Sequence, residues 1–293
     1  MTIIEATIEK AKALRGGRSD GHGVSGSGSS SAAPSHYRRA SDLAPPSTQI
    51  TGHRVAFNPE LARENRLLLS ASTKEDRGTL AAYGMLRTRL LHRARARSWQ
   101  SIGVTSAAPQ DGKSLTAINL ALSLAREKNS SVVLLDLDMR NPSICRTLGI
   151  MPRLELRHFF DGRIESPDDL FMSIGVENLL IAGNEGAAEN SAELLASSRL
   201  EELLDFIKRS TVNPLILIDL PPVLSPDDTL VVAPRIDSLV LVASEGITPR
   251  ADLTKAGELL SEYTIAGLVL NHSTEFGQKY GYGYGYGGDG SRA

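Results

Sequence analysis

The stretch SIGVTSAAPQDGKSLTAINL, residues 101–120, decides the fold of this chain. Its first six residues have the small, apolar and β-branched character of a buried strand, whereas apolar residues recur at helical spacing from Lys113 onward. The connection between the two parts contains Gly112, Lys113 and Ser114. Backbone N–H groups in such a turn, together with the positive end of the helix dipole, form a site for an anion. We therefore expect this strand–turn–helix unit to hold a phosphate group.

The turn is close to the Walker A motif, GxxxxGK[ST], which binds nucleotide phosphates between a strand and a helix. Lys113 and Ser114 match the end of the motif, but Ala107 takes the place of its first glycine. The match predicts that Lys113 contacts the β- and γ-phosphates and that Ser114 ligates Mg²⁺. Nucleotide contacts are expected from most of the turn, namely Gln110, Asp111, Gly112, Lys113, Ser114 and Leu115. Because a GKS tripeptide alone also suits an ordinary strand-to-helix turn, the prediction needs support from elsewhere in the chain.

That support comes from carboxylates at the ends of two other apolar runs. LLDLDMR, residues 134–140, carries Asp136 and Asp138, and LILIDLPP, residues 215–222, carries Asp219. Ligands of open α/β sheets bind at the carboxyl ends of the strands. Any one of these aspartates would also suit a helix cap. Three strand ends that carry a phosphate loop and two sets of carboxylates together favour a site for a nucleotide with Mg²⁺.

From residue 100 onward, apolar runs alternate with helical patterns. Strands that are apolar on both faces are typical of a parallel sheet that helices cover on both sides. The alternation predicts one α/β domain with a doubly wound, mostly parallel sheet flanked by helices. The predicted strands are 101–106, 131–138, 177–183, 214–222, 237–244 and 265–273, and the predicted helices are 78–99, a segment beginning near 113, 191–210 and 249–263.

Both ends of the chain differ in composition from the domain between them. Residues 1–15 predict a short amphipathic leader helix, and residues 16–54, rich in Gly, Ser, Pro and Ala, predict a disordered linker. The predicted domain covers 55–275 and is followed by a flexible tail, 276–293. In the tail, glycine alternates with four of the seven tyrosines, Tyr280, Tyr282, Tyr284 and Tyr286. Glycine disfavours a helix here, so the tyrosines are expected to be free either to reach a site or to self-associate.

The composition excludes several classes of protein. A net charge of −2 argues neither for a nucleic-acid-binding protein nor for a strongly acidic partner surface. Cys145 is the only cysteine, which excludes a disulfide within the chain and fits a reducing compartment. No apolar run reaches the roughly 20 residues that span a bilayer. We therefore expect a cytoplasmic protein whose association with the membrane depends on a partner.

Taken together, these motifs resemble the bacterial tyrosine kinases, the P-loop autokinases of exopolysaccharide and capsule loci. The similarity covers roughly residues 75–286. It is carried by APQDGKS (108–114), VVLLDLDMRNPS (132–143), LILIDLPPVLSPDD (215–228), GLVLN (267–271) and the terminal tyrosine cluster. The opening IIEATIEKAKAL is similar to the leader of the subgroup found in exosortase-associated exopolysaccharide loci.

The resemblance implies an ATP-dependent protein tyrosine autokinase that uses Mg²⁺. A tyrosine hydroxyl has a pKa near 10 and needs a carboxylate to take its proton. Asp136 corresponds to that base, and Asp138 and Asp219 to the groups that organise the metal. Lys113 corresponds to the catalytic lysine, and Asn271 lies where related ATPases contact adenine. The implied phosphoacceptors are Tyr280, Tyr282, Tyr284 and Tyr286, whose phosphorylation would act as an assembly switch for exopolysaccharide export.

The resemblance also implies partners. A membrane polysaccharide co-polymerase would activate the kinase at the inner face of the membrane, and a phosphotyrosine phosphatase would reverse its reaction. Subunits of a homo-oligomer would phosphorylate one another in trans. The family commonly has an E-x-x-R-x-x-R helix that joins subunits into rings, but AAYGMLR, residues 81–87, keeps only Arg87 of that pattern. The salt bridges of such a ring are therefore not all available to this chain.

Two other functions remain open at this stage. A positioning ATPase of the ParA and MinD type would share the fold, but such proteins carry an extra lysine where this chain has Ala108. A nucleotide-binding adaptor of a polysaccharide co-polymerase, without phosphotransfer of its own, would also fit the motifs. ATP turnover without phosphotyrosine would favour the positioning ATPase. ATP binding without turnover and without phosphotyrosine would favour the adaptor.

Overall fold

The computed structural model of the chain describes residues 50–69, 73–225 and 228–273, with only the backbone of Lys74 and Glu75. The predicted leader helix, linker and tyrosine tail lie outside these residues. A two-residue strand, His53–Arg54, joins the sheet although it comes just before residue 55, where the sequence predicts the domain to begin.

An eight-stranded sheet forms the centre of the described residues. The strands are β1 (His53–Arg54), β2 (Ser101–Ser106), β3 (Ser131–Asp136), β4 (Met172–Ser173), β5 (Leu179–Ala182), β6 (Pro214–Asp219), β7 (Ser238–Ser244) and β8 (Ile265–Asn271). Their spatial order is β1-β4-β5-β3-β6-β2-β7-β8. The pairs from β5 to β8 are all parallel, and the single antiparallel step lies between β4 and β5.

Helices cover both faces of this sheet. They are α1 (Pro59–Glu64), α2 (Lys74–Arg97), α3 (Lys113–Leu124), α4 (Ile144–Leu148), α5 (Leu156–Phe160), α6 (Ser191–Ala196), α7 (Arg199–Ser210), α8 (Asp228–Val232) and α9 (Arg250–Leu259). Leu215 and Leu217 of β6 pack in a hydrophobic cluster with α1 to α4, whereas Ile216 and Ile218 pack in a second cluster with α5 to α9. Since successive strand residues point to opposite faces, both faces of β6 are buried. The predicted doubly wound α/β fold is confirmed.

Helix α2 begins earlier than its apolar pattern suggests because a capping box precedes it. The Thr73 hydroxyl accepts a hydrogen bond from the N–H of Asp76 at 3.0 Å, and the Asp76 carboxylate accepts one from the N–H of Thr73 at 2.7 Å. This exchange satisfies two backbone donors that a helix start leaves free. The helix therefore starts at Lys74 instead of the expected Gly78.

The predicted helix over 191–210 is two helices. The backbone at Ser197 is extended, with φ −67° and ψ 163°, and separates α6 from α7. The Ser197 hydroxyl donates to the carbonyl of Leu194 at 2.6 Å. Serine side chains compete with the helical hydrogen bonds of the backbone in this way, and the apolar period alone does not reveal the break.

Strands β1 and β4 were absent from the sequence prediction. Each is only two residues long, which is too short for a periodic pattern to indicate it. None of the helices within the described residues is both long enough and apolar enough to cross a bilayer.

Candidate functional site

Three neighbouring strands bring the predicted site residues to one edge of the sheet. β6 lies between β3 and β2. Asp136, the last residue of β3, is in register with Asp219, the last residue of β6, and Asp219 is also in register with Val104 of β2. The phosphate-binding turn follows two residues later along β2. The structure thus places the loop and both sets of carboxylates together, as the sequence predicts.

Lys113, the first residue of α3, directs its ammonium into this cluster. Its Nζ lies 2.8 Å from Asp138 Oδ2 and 3.3 Å from Asp219 Oδ1. It also donates to Ser114 Oγ at 3.0 Å. Burial by itself lowers the pKa of Lys113, but the negative charges of Asp219 and Asp138 outweigh burial and leave that pKa raised. The ammonium therefore stays charged in a site where only 11% of its side chain is exposed.

Asp136 is fully buried beside this cluster. Its Oδ2 accepts hydrogen bonds from the N–H groups of Ser143 and Ile144, both at 2.9 Å. Its Oδ1 is buried and has no hydrogen-bond partner among the described residues. Burial, and next the charge of Asp219, raise the pKa of Asp136 to about 8. A carboxylate with a pKa near neutrality suits a general base, because it binds a proton more strongly than an ordinary aspartate does.

Asp219 is buried to the same extent. Burial raises the pKa of its carboxyl, and the charge of Lys113 opposes that rise. Its Oδ2 makes no hydrogen bond to the described residues. Leaving such an oxygen buried without a partner costs free energy that a cation or an ordered water can recover. The oxygen-rich set of Ser114, Asp138 and Asp219 therefore fits Mg²⁺.

A three-ligand cluster is not required for that ion. Among the residues the structure describes, no group of three or more His, Cys, Asp or Glu side chains is arranged to hold a metal. Mg²⁺ in nucleotide sites usually takes one or two protein oxygens and completes its shell with water and phosphates. Ser114 and one aspartate are enough for such a site.

Hydrogen bonds within the loop and from distant parts of the chain hold the phosphate-binding loop in shape. Asp111, only 1% exposed, accepts hydrogen bonds from the N–H of Ala108 at 3.1 Å and the hydroxyl of Thr248 at 2.6 Å. Its backbone carbonyl accepts from Ser244 Oγ at 3.1 Å and Asn271 Nδ2 at 3.0 Å. The side chains of Asp111 and Asn271 thus brace the loop. Their predicted contacts with the nucleotide and with adenine stay predictions.

The loop needs glycine at only one of the two positions in the motif. Gly112 has φ +84°, in the left-handed region, and a Cβ there would collide with the side-chain amide of Asn271. Gln110 also has a positive φ, 69°, whereas Ala107 lies outside that region. Since Ala107 has an ordinary backbone conformation and is fully buried, alanine fits where the motif has its first glycine.

Sequence reasoning missed one buried carboxylate close to the site. Asp228, at the start of α8, is fully buried and accepts a hydrogen bond from the Ser191 hydroxyl at 2.5 Å. Arg140 Nε, on the loop after β3, lies 3.5 Å from the same carboxylate. Asp228 therefore links the loop after β3 to the segment after β6. The quoted run LSPDD contains Asp228, but nothing in the run predicts that this aspartate is buried.

The remaining arginine of the ring-helix pattern is engaged within the chain. Arg87 Nη1 donates to the carbonyl of Ser123 at 3.1 Å, and its Nε lies 3.7 Å from Glu127 Oε1. The side chain would have to leave these partners to form a contact between subunits. The four predicted phosphoacceptor tyrosines lie outside the described residues.

With this geometry in place, comparison with known proteins identifies the family. The ParA family model, described as NUBPL iron-transfer P-loop NTPase, matches residues 99–284. The chain belongs to the ParA family of P-loop NTPases. This fold implies nucleotide binding, which agrees with the position of the Lys113 loop at the carboxyl edge of the sheet.

Within that fold, several of the similar proteins are named as tyrosine kinases. The chain is 28% identical over 200 residues to the tyrosine-protein kinase YwqD of Bacillus subtilis, covering 64% of this chain and 79% of that protein. It is 29% identical over 186 residues to the tyrosine-protein kinase CpsD of Streptococcus pneumoniae serotype 4, covering 61% and 79%. The predicted resemblance to bacterial tyrosine kinases is confirmed.

Solved structures agree with this relationship. The VpsO kinase domain is 29% identical, with a TM-score of 0.59, and the match covers 68% of this chain and 97% of that domain. The BceF tyrosine kinase domain, at 23% identity, shares the fold with a TM-score of 0.62 over 75% of this chain and 91% of that chain.

Proposed function

We propose that this chain is an ATP-dependent protein tyrosine autokinase that phosphorylates its C-terminal tyrosine cluster and regulates exopolysaccharide synthesis and export. The observation that carries the proposal is the approach of Lys113 Nζ to Asp138 and Asp219, at 2.8 and 3.3 Å, next to the buried Asp136. The names of similar proteins support the reaction. One of them, from Klebsiella pneumoniae, is named as a putative tyrosine-protein kinase in the cps region.

In this mechanism, the residues of the loop and of the strand ends have separate roles. Backbone N–H groups at the start of α3 bind the phosphates of ATP, and Lys113 exchanges its contact with Asp138 for phosphate oxygens. Ser114, Asp138 and Asp219 would hold Mg²⁺, which would neutralise negative charge on the phosphates. Asp136 accepts the proton of the tyrosine hydroxyl. The tyrosine oxygen then bonds to the γ-phosphorus, the bond to the β–γ bridging oxygen breaks, and ADP leaves.

The free oxygen of Asp136 supports its role as the base. Two backbone N–H groups fix Oδ2, so the carboxylate is held in one orientation while Oδ1 remains available. In its ionised form, a carboxylate with this raised pKa takes up the tyrosine proton more readily than an ordinary aspartate does. An aspartate with an ordinary pKa near 4 would be a much weaker base for a hydroxyl whose pKa is near 10.

Two other functions make different predictions. A ParA- or MinD-like positioning ATPase would hydrolyse ATP without modifying tyrosine, and a nucleotide-binding adaptor of a polysaccharide co-polymerase would do neither. The N–H of Ala108, at the position of the extra lysine of positioning ATPases, donates to Asp111 within the chain's own loop. Alanine at this position lacks the positive charge of that lysine, which favours the kinase.

The proposed partners follow from this function. A membrane polysaccharide co-polymerase would activate the kinase and hold it at the inner face of the membrane. Subunits of a homo-oligomer would phosphorylate one another, and a cognate phosphotyrosine phosphatase would reset the tails.

A mixing experiment tests whether the chain phosphorylates tyrosine and whether one chain phosphorylates the tail of another. One variant carries phenylalanine at all four tail tyrosines and keeps its active site, and Lys113→Met keeps its tail but lacks the catalytic lysine. We expect Mg-ATP to yield phosphotyrosine on the Lys113→Met tail only when both variants are present, as read by mass spectrometry. ATP hydrolysis without phosphotyrosine would support the positioning ATPase, and nucleotide binding without either would support the adaptor.

A further inference from the structure

Three arginines form a stripe along the exposed side of α2. Arg89, Arg93 and Arg97 are four residues apart, so they lie on one side of the helix at intervals of about 6 Å along its axis. All three are exposed. Among the described residues none of them has a carboxylate within ion-pair distance, whereas Arg87 and Arg95 share Glu127. This arginine stripe is therefore a row of positive charges without counter-charges of its own.

The stripe lies beside the outermost strand of the sheet, near its amino end. Arg93 donates a hydrogen bond to the carbonyl of Ala266, the second residue of β8. The Arg97 guanidinium lies 5.2 Å from the ring centre of Trp99, which comes just before β2. The Lys113 cluster lies at the opposite, carboxyl end of the strands. A ligand on the stripe would therefore be well separated from the nucleotide site.

The chain itself supplies a segment that can reach this surface. β8 ends at Asn271, and eight residues, 272–279, separate it from Tyr280. A connection of about two to five residues is enough to reverse a strand, so eight residues allow the tail to run back along β8. β8 and the segment 280–286 are both seven residues long. A tail reversed in this way runs from the carboxyl end of the sheet towards the stripe.

The spacing of the tyrosines matches the spacing of the arginines. In an extended chain, alternate residues point to the same side and are separated by about 6.6–6.8 Å. Tyr280, Tyr282, Tyr284 and Tyr286 occupy alternate positions, so in an extended segment all four point the same way. This interval is close to the interval of about 6 Å between consecutive arginines of the stripe.

Phosphorylation supplies the charge that the stripe lacks. Each phosphotyrosine carries roughly −1.5 to −2 charges. The planar guanidinium binds a phosphate with two parallel hydrogen bonds, which a neutral tyrosine hydroxyl cannot accept. The stripe therefore distinguishes the modified tail from the unmodified tail.

We propose that the arginine stripe, Arg89, Arg93 and Arg97, binds the phosphorylated form of the chain's own C-terminal tail. The proposal rests on the proposed function for the origin of the phosphate, because the bound segment is the product of that reaction. Binding there holds the modified tail at the amino end of the sheet, away from Lys113. The product is thereby removed from the edge at which unmodified tails react.

Synthetic peptides test the proposal without relying on kinase activity. The peptide of residues 276–293 is made with four phosphotyrosines and with none, and each form is titrated into the full-length Lys113→Met chain in about 0.15 M salt. We expect the phosphorylated peptide to bind at least about tenfold more tightly. Changing Arg89, Arg93 and Arg97 together to Gln is expected to remove at least about tenfold of that affinity.

A matched control distinguishes binding at the arginine stripe from a general effect of positive charge on affinity. Changing Arg146, Arg153 and Arg209 together to Gln removes the same charge from exposed positions elsewhere, and should alter affinity less than about threefold. Equal binding of both peptides, or equal losses in both triple variants, would overturn the proposal. Binding of phosphatidylserine vesicles, but not of the phosphopeptide, would also overturn it and assign the stripe to lipid. If the chain binds the phosphopeptide at the stripe but never phosphorylates itself, the binding site is upheld and the kinase proposal fails.

Discussion

Replacing Gly112 by alanine tests how the phosphate-binding loop is held. Gly112 adopts φ +84°, and a Cβ at this position would meet the side-chain amide of Asn271. That amide donates to the carbonyl of Asp111 at 3.0 Å. The substitution therefore forces a left-handed alanine and pushes Asn271 away from its hydrogen bond.

The expected cost has two parts. A left-handed conformation costs about 1–2 kcal/mol for a residue with a Cβ. Losing the hydrogen bond of Asn271 costs about 1 kcal/mol more. Gly112→Ala should thus lower the free energy of unfolding by about 2–3 kcal/mol. Asn271→Ala alone should lower it by about 1 kcal/mol.

The double variant shows whether the two residues share the same contact. Because the hydrogen bond can be lost only once, Gly112→Ala with Asn271→Ala should cost about 2–3 kcal/mol, less than the sum of about 3–4 kcal/mol. Urea unfolding followed by circular dichroism measures all three values. The control is Gly84→Ala in α2, where a Cβ has no atom within 4 Å, and we expect a gain of about 0.5–1 kcal/mol. Additive losses within about 0.3 kcal/mol, or a neutral Gly112→Ala, would refute the argument.

Two further predictions concern the partly buried Asp237 and the buried Cys145. Asp237 accepts three hydrogen bonds at 2.8 Å from Gln100 and Ser101; burial raises its pKa, but these bonds outweigh burial and lower it. The stabilising effect of the Asp237 carboxylate is therefore present above about pH 4 and is lost as the pH falls through the lowered pKa. Asp237→Ala should lower the free energy of unfolding by about 1–2 kcal/mol at pH 7 and by less at pH 3. A loss that is the same at both pH values in urea unfolding would contradict this. Burial raises the pKa of Cys145 to about 12, so a thiol reagent at pH 8 should label the native chain about 10³-fold more slowly than the chain in urea; rapid labelling of the native chain would contradict the buried position.

The positions of the candidate catalytic groups could be predicted because parallel strands align their ends. Asp136 and Asp219 each follow an apolar run, and that was enough to place them at one edge of the sheet. The order of the strands was not needed for that inference. The same reasoning gave the approximate bounds of six of the eight strands among the described residues.

The hydrogen bonds that hold the phosphate-binding loop could not be predicted, because they join distant parts of the chain. Thr248 contacts Asp111 across 137 positions of sequence, and Asn271 contacts it across 160. Nothing in a local pattern indicates such a pair. Asp228 illustrates the same limit, since its burial against Ser191 and Arg140 follows from packing between separate segments.

Phosphate on the C-terminal tyrosines is the most direct measurement of the central claim. The wild-type chain and Lys113→Met are each incubated with Mg-ATP, and the C-terminal peptide is examined by mass spectrometry. The account predicts phosphate on one or more of Tyr280, Tyr282, Tyr284 and Tyr286 in the wild-type chain and none in the variant. Turnover of ATP by a wild-type chain whose tail tyrosines stay unmodified would contradict it.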